Sequence, residues 1–253
     1  MAASDKQPQP ADNPAVPANP VEGTFKETTA TGQPLREATF AGGRLHGPLT
    51  EYQENGVPLS VAMYQDGQLH GAVILYDEQG RIVRRLNYQA GRLHGEALDY
   101  DETGAVVQRA HYRDGKLDGP LLVYAQSVPV VYMEFEAGVR HGRFIAYDGQ
   151  GYVQAEMRYR QGKLHGPARF YDPDGGLQRQ CAYQDDQLEG ELLDYYPSGA
   201  VFEQQYYRAG KLEGEQFRLS EAGEIIDYAV YQGGMPVDPA AAGQTAATPP
   251  QRR

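Results

Sequence analysis

The stretch Tyr88–Tyr112, YQAGRLHGEALDYDETGAVVQRAHY, decides how the rest of the 253-residue chain is read. Its first residue closes a near-copy that begins at Tyr64, and its last residue opens another. Copies begin at residues 40, 64, 88, 112, 135, 159, 183 and 207, a step of 24 residues with a single step of 23. Self-similarity at such a period marks a repeat array, in which each unit buries its apolar side against its neighbours. With the opening aromatic as position 0, glycine recurs at positions 3, 7 and 16, leucine at 5 and tyrosine at 12. The position-7 glycine is present in every copy: Gly47, Gly71, Gly95, Gly119, Gly142, Gly166, Gly190 and Gly214.

Two stretches of each copy read as strands. Positions 8–12 (EALDY at 96–100) and 17–24 (RIVRRLNY at 81–88) alternate in polarity and are rich in β-branched and aromatic residues. Position 10 is apolar in most copies and shares a parity with Tyr at 12, while 18, 22 and 24 are mainly apolar in the second stretch. Between them, YDEQG, YDETG and YDPDG carry hairpin-turn chemistry. The other connection, QAGRLHG, places two glycines around a leucine that can fold back over the sheet. The predicted fold is therefore all-β: an elongated antiparallel β-meander or solenoid of about eight 24-residue hairpin repeats. The array spans residues 24–235, with 24–39 as a cap. Residues 1–23, rich in Pro and Ala, read as a disordered tether, and 236–253 as a disordered tail. The short fourth copy has Ser127 for the turn glycine and Pro129 in its strand, and Arg140 replaces the next leucine. This predicts a kink over residues 124–141 with a binding role.

The net charge is −11. Nucleic acid and anionic lipid surfaces both demand a basic footprint, so no nucleic acid and no direct lipid contact are expected, and a basic partner fits. The single cysteine, Cys181, excludes a disulfide framework and a CxxC metal pair. It falls at position 22 with Leu86, Met133 and Met157 and reads as a small core residue. No run of 18 apolar residues exists, and the N-terminus MAASDKQPQP lacks the apolar core of a signal peptide. As written the chain is expected in the cytoplasm; the alternative is the periplasm, had an export signal been removed ahead of the tether-like segment.

Five of the six histidines stand at position 6 (His46, His70, His94, His141, His165), where Asp118, Glu189 and Glu213 stand in other copies. Equivalent positions lie two strands apart, ~9.5 Å, whereas one ion holds its ligands within ~2–2.5 Å. The column is therefore read as turn residues bonding backbone beside the glycine, with no metal. The position-12 tyrosines read as a packing ladder. No nucleophile–base–orienter set, GxSxG, HExxH or phosphate loop is present, so neither an enzyme nor a cofactor is expected. What varies between copies is left for recognition, chiefly positions 11, 19, 20, 21 and 23. The candidates are Arg84, Arg85, Asp99, Arg109, His111, Glu134, Glu156, Arg158 and Asp194, with Arg140 at the break. The other reading of these columns is a solvated face.

The pattern YxxGxLHGxxxxYDxxGxxxxxxxY, repeated over residues 24–235, resembles the MORN-repeat variant of bacterial YwqK-type antitoxins. It departs from the common MORN unit, which is usually shorter by a residue and richer in aromatic-x-Gly; that departure and the acidic charge argue against phospholipid binding. The resemblance implies a β-sheet repeat protein that binds another protein, a toxin or effector with a basic patch neutralised by occlusion. The alternative role is a structural scaffold of a membrane-associated or envelope assembly.

Overall fold

Alternating polarity and β-branched residues specify strands, and the computed structural model, which describes residues 22–238, has strands as its regular elements throughout. The chain divides between Arg92 and Leu93 into two compact units. In the first, Gly23–Thr28, Pro34–Ala41, Arg44–Tyr52, Pro58–Gln65, Gln68–Tyr76 and Ile82–Gln89 pair antiparallel in sequence order. In the second, the same meander runs from Gly95–Tyr100 and Val106–Arg113 to Ile225–Gln232 and Met235–Val237. The expected tether and tail lie outside the described residues except at their inner ends. There Gly23 starts a strand, and Pro236 and Val237 pair with Tyr231 and Val230.

Two turns alternate. The YDxxG loop closes around its aspartate: Asp101 Oδ1 accepts the Thr103 and Ala105 amides at 2.8 and 3.0 Å, and the Thr103 hydroxyl at 2.6 Å. Asp77, Asp148 and Asp172 accept the corresponding amides in their own loops. The Thr103 hydroxyl first, then the amides, holds the Asp101 carboxyl below the ordinary aspartate range. A carboxyl depressed on folding contributes stability above its unfolded pKa, and that contribution is lost as pH falls through the lower folded value. In a carboxyl-detected NMR titration, Asp101 is expected to titrate below the usual ~3.9, and Thr103→Val to move its midpoint upward. An ordinary midpoint unmoved by that substitution would contradict the loop geometry.

The second turn has two residues, both in the left-handed region, as at Gln161 (φ 51°) and Gly162 (φ 85°). Such type I′ turns match the twist of the strands they join. The second turn residue also joins one repeat to the last, its amide donating to the carbonyl of the previous repeat's position 5. Gly67 to Leu45, Gly162 to Arg140 and Gly210 to Leu188 span 2.8, 2.8 and 2.9 Å. Asp186 occupies this site at φ 71° and also accepts the Leu164 amide at 2.7 Å, a bond glycine cannot supply.

Because this turn is so short, the chain re-enters the sheet at once, and two expectations are corrected. The first strand begins at position 4 rather than 8, as in Arg44–Tyr52. The leucine at 5 does not fold back over the sheet but lies in it: Leu69 stands opposite Tyr64. The position-7 glycine is a bulge. Thr39 opposes three residues, His46, Gly47 and Pro48, between the pairs Phe40–Leu45 and Ala38–Leu49. At φ 107°, Gly47 has the Thr39 side chain over it, 3.3 Å from where a Cβ would lie.

The buried row also differs from the expected one. Position 9 faces position 22, as in Leu49–Ala62, Val73–Leu86 and Ala168–Cys181. These small and medium side chains are the best-buried residues, Ala168 at 1 % and Cys181 at 3 % exposed. Met157, Phe170, Tyr183, Leu188 and Tyr207 pack around them. Burial pushes the Cys181 thiol up, as befits a core residue. Parity counted from Tyr at 12 fails because a second irregularity falls between positions 11 and 12: Glu51 pairs Ser60, but Tyr52 pairs Pro58. Position 10, with Leu98, Ile145 and Phe217, is buried on the opposite face.

Through residues 124–141 the strand pairing continues without a break. The missing residue comes out of the loop, and Lys116–Ala125 and Val128–Glu136 join by a two-residue turn, Gln126 (φ 50°) and Ser127 (φ 65°). Neither is glycine, and a non-glycine residue held there is strained by about 1 kcal/mol or more. Ser127→Gly is therefore expected to stabilise by about 0.5–1 kcal/mol, a rise of about 1–4 °C in Tm. A lowered Tm would show that the serine makes a compensating contact.

Candidate protein-binding faces

Successive side chains of a strand point to opposite faces, so the pairing sorts the variable columns. Positions 9, 11, 20 and 22 share one face, here the packed face; positions 8, 10, 21 and 23 share the other, the open face. The residues singled out from sequence divide between the two. In the first unit Arg84 (position 20) and Arg85 (position 21) are neighbours on opposite faces, opposite Leu75 and Ile74.

On the packed face of the second unit, Asp194 is held by Arg179 through two bonds of 2.6 and 2.9 Å. It begins a ladder at positions 11 and 20: Arg218 reaches Glu203 at 3.5 Å and Asp227 at 3.9 Å. Asp99, further along the same columns, accepts from Gln108 at 3.4 Å. Arg140, at position 5, stacks its guanidinium over the Tyr159 ring at 4.4 Å. A shallow depression of 470 Å³ opens beside the ladder, lined by Phe170, Arg179, Tyr183, Asp194 and Phe202.

On the open face, position 23 has a structural duty. The His111 Cβ lies 3.5 Å from where a Cβ on Gly119 would be, and its Nδ1–H donates to the Asp118 carbonyl at 2.8 Å. The Glu134 carboxylate lies over Gly142 in the same way, accepting the Tyr132 hydroxyl at 2.6 Å and the Arg143 amide at 2.7 Å. Burial acts to raise the Glu134 carboxyl, but these two bonds prevail and hold it below the ordinary range. The Glu134 bond, with burial behind it, pushes the Tyr132 phenol up to about 12. Arg109 pairs with Glu96 at 3.3 Å. Glu156 and Arg158 make no ion pair among the described residues. They sit with Arg143, Arg169, Ile145 and Pro167 around a depression of 260 Å³. Arg143 and Arg169 are missed by the sequence reading because positions 8 and 10 lie outside the columns read as variable, position 10 being apolar in most copies.

Several members of the histidine column bridge to the next repeat's turn rather than bonding the backbone beside their own glycine, whereas His141 reaches Glu136 of its own repeat at 3.3 Å. The column's acidic members accept amides of the next repeat's turn: Glu189 from Ala209 and Glu213 from Gly233, each at 2.7 Å. His46 reaches Asp66 of the next turn at 3.5 Å. Among the described residues no cluster of His, Cys, Asp and Glu is placed to hold a metal ion.

The geometry of one hairpin, from the leucine at 5 through the Asx-type loop to the next two-residue turn, coincides with a known unit. The MORN repeat variant family matches residues 45–66, 93–114, 164–185 and 188–209, each match opening at that leucine. These are MORN repeats of the variant type. The other MORN-like copies share the antiparallel pairing and the bulge, the fourth closing on the two-residue turn Gln126–Ser127 in place of the Asx loop. No curated protein matches the chain. Among solved structures, the chain is similar to the Glycosylation Associate Protein (Gap123) complex from Streptococcus agalactiae, at 14 % identity and TM-score 0.27, covering 40 % of this chain and 18 % of that one. It is also similar to the Photorhabdus luminescens Tc holotoxin pore, at 13 % identity and TM-score 0.23, covering 83 % of this chain and 13 % of that one. The chain thus spans less than a fifth of either structure's length, and neither likeness bears on function.

Proposed function

We propose that this MORN-variant protein is a non-catalytic binding protein that covers a protein partner with a sheet face, and that the partner is a toxin or secreted effector held inactive by occlusion. The observation that carries the reading is the division of labour between columns. The recurrent Gly, Leu, His and Tyr are consumed by turns, bulges and packing, while exposed charges at positions 8, 10, 11, 20 and 21 change from repeat to repeat. In repeat proteins a fixed scaffold with a variable exposed face is the usual arrangement for recognition. Both depressions described above are shallow features of a sheet surface, suited to side chains of a partner. Binding to proteins or membranes is the common use of MORN repeats, and the resemblance to antitoxin repeats favours a harmful partner.

The test is co-expression with the product of the neighbouring gene. The expected result is a complex that survives size-exclusion chromatography, together with relief of that product's toxicity. Absence of both overturns the reading. Retention on lipid vesicles with several unrelated partners would replace it with a membrane-associated scaffold.

A further inference from the structure

Several arginines of this sheet are matched across the strands by a carboxylate. Arg36 reaches Glu51, Arg109 reaches Glu96, Arg179 reaches Asp194 and Arg218 reaches Glu203. The open face of the second unit breaks this habit at one place. Arg143 and Arg158 stand directly opposite each other on neighbouring strands, and Arg169 lies on the next strand, opposite Glu156. All three arginines are exposed, and none makes an ion pair among the described residues. Like charges directly opposite across a sheet are destabilising. Glu134, pinned by the Tyr132 hydroxyl and the Arg143 amide, feels the charges of Arg143 and Arg158 but is one carboxylate between two guanidiniums. Counting Glu134 and Glu156 against the three guanidiniums still leaves one excess positive charge, in a chain of net charge −11. Buried Ile145 lies in the patch, and Pro167 completes the lining of the depression. The stem of Arg158 rests over Gly166, its Cδ 3.9 Å from where a Cβ on that glycine would lie, while its guanidinium is exposed.

We propose that Arg143, Arg158 and Arg169 form a docking site for the carboxylates of an acidic segment of the protein partner. This rests on the protein-binding reading above and deepens it: the contact on this face is acidic, the reverse of what the chain's overall charge suggests. Guanidinium forks match carboxylates two bonds at a time, and three on adjacent strands accommodate successive acidic side chains of an extended segment laid across the sheet. Ile145 and Pro167 give that segment an apolar footing.

The experiment is fluorescence anisotropy of the full chain with a labelled Glu-rich peptide, a Lys-rich peptide and a phosphoserine peptide of equal length, at low and high salt. The expected result is salt-sensitive binding of the Glu-rich peptide, weakened at least about tenfold in the triple variant Arg143→Gln, Arg158→Gln, Arg169→Gln and unchanged in Arg44→Gln, an exposed arginine of the first unit outside both depressions. Each single variant is measured as well, with thermal melts, so that a misfolded triple variant leaves the test intact. Preference for the phosphoserine or Lys-rich peptide, or equal binding by wild type and triple variant, overturns the proposal. If the neighbouring gene's product binds the triple variant as it binds wild type, the site falls while the protein-binding reading stands. If that product does not bind at all but the peptide result holds, the antitoxin reading falls and the site stands.

Discussion

Gly142→Ala is expected to lower the unfolding free energy by about 2–4 kcal/mol, the largest effect of any glycine-to-alanine change among the described residues. Two penalties coincide there. The backbone is at φ 97°, where an L side chain is strained, and a Cβ would land on the Glu134 carboxylate. Relieving the clash means displacing Glu134 from the Tyr132 hydroxyl and the Arg143 amide, which leaves a partly buried carboxylate without its donors. Gly190→Ala is the control. It has φ 85° but nothing within 4 Å of the place a Cβ would take, so the backbone term acts alone, at about 1–2 kcal/mol. Equilibrium urea unfolding of both variants decides the matter, and equal losses would refute the part assigned to Glu134. The double variant Glu134→Ala, Gly142→Ala should recover part of the difference between them, because the carboxylate is then gone and only the Cβ of residue 134, 3.2 Å away, remains.

Leu49→Ala is expected to cost about 2–4 kcal/mol. Leu49 is 5 % exposed and belongs to the cluster formed with Ala38, Phe40 and Leu45. Its cross-strand neighbours Ala38 and Ala62 are both small, so they have no atoms to move into the void. Leu59, in the same repeat, is 48 % exposed, and Leu59→Ala should change stability by no more than about 0.5 kcal/mol. In a repeat array the damage is local before it is global. Hydrogen exchange should therefore show Arg44–Tyr52 and Pro58–Gln65 opening first in Leu49→Ala, with Val201–Arg208 protected as in wild type. A uniform loss of protection would mean that the strands unfold as one cooperative body.

The period, the hairpin character, both turns and the buried place of Cys181 can be read from the residues because each is a local property. Glycine at a fixed spacing announces positive φ, and an aspartate followed by glycine announces its loop. Bulges are harder to read, since an extra residue looks like part of the adjacent turn. In sequence the bulge at position 7 therefore reads as a bend, and the irregularity beside Tyr52 transfers the inward column from position 10 to position 9. The site reading fails in part for a related reason. Position 23 varies freely among Thr39, Met63, His111, Glu134 and Arg158, which suggests recognition. Its task is to lay a side chain over the next bulge glycine, and many side chains can do that. Conversely, Arg169 does not stand out in the sequence because its column is apolar in most copies, and Arg143 because position 8 mixes proline, alanine and glutamate beside the bulge glycine.

The amide-to-carbonyl link between successive turns bears on how such a chain lengthens. Each repeat offers the next a carbonyl at position 5 and receives an amide from the turn that follows. A duplicated segment of 24 residues, inserted after Tyr183, would meet the donors and acceptors it needs on both sides and hand them on unchanged. A segment of any other length must absorb the mismatch in a loop, as Gln126 and Ser127 do for the one missing residue. Growth by whole-copy duplication is thus nearly free of structural penalty, and the number of copies can be set by the reach the partner demands.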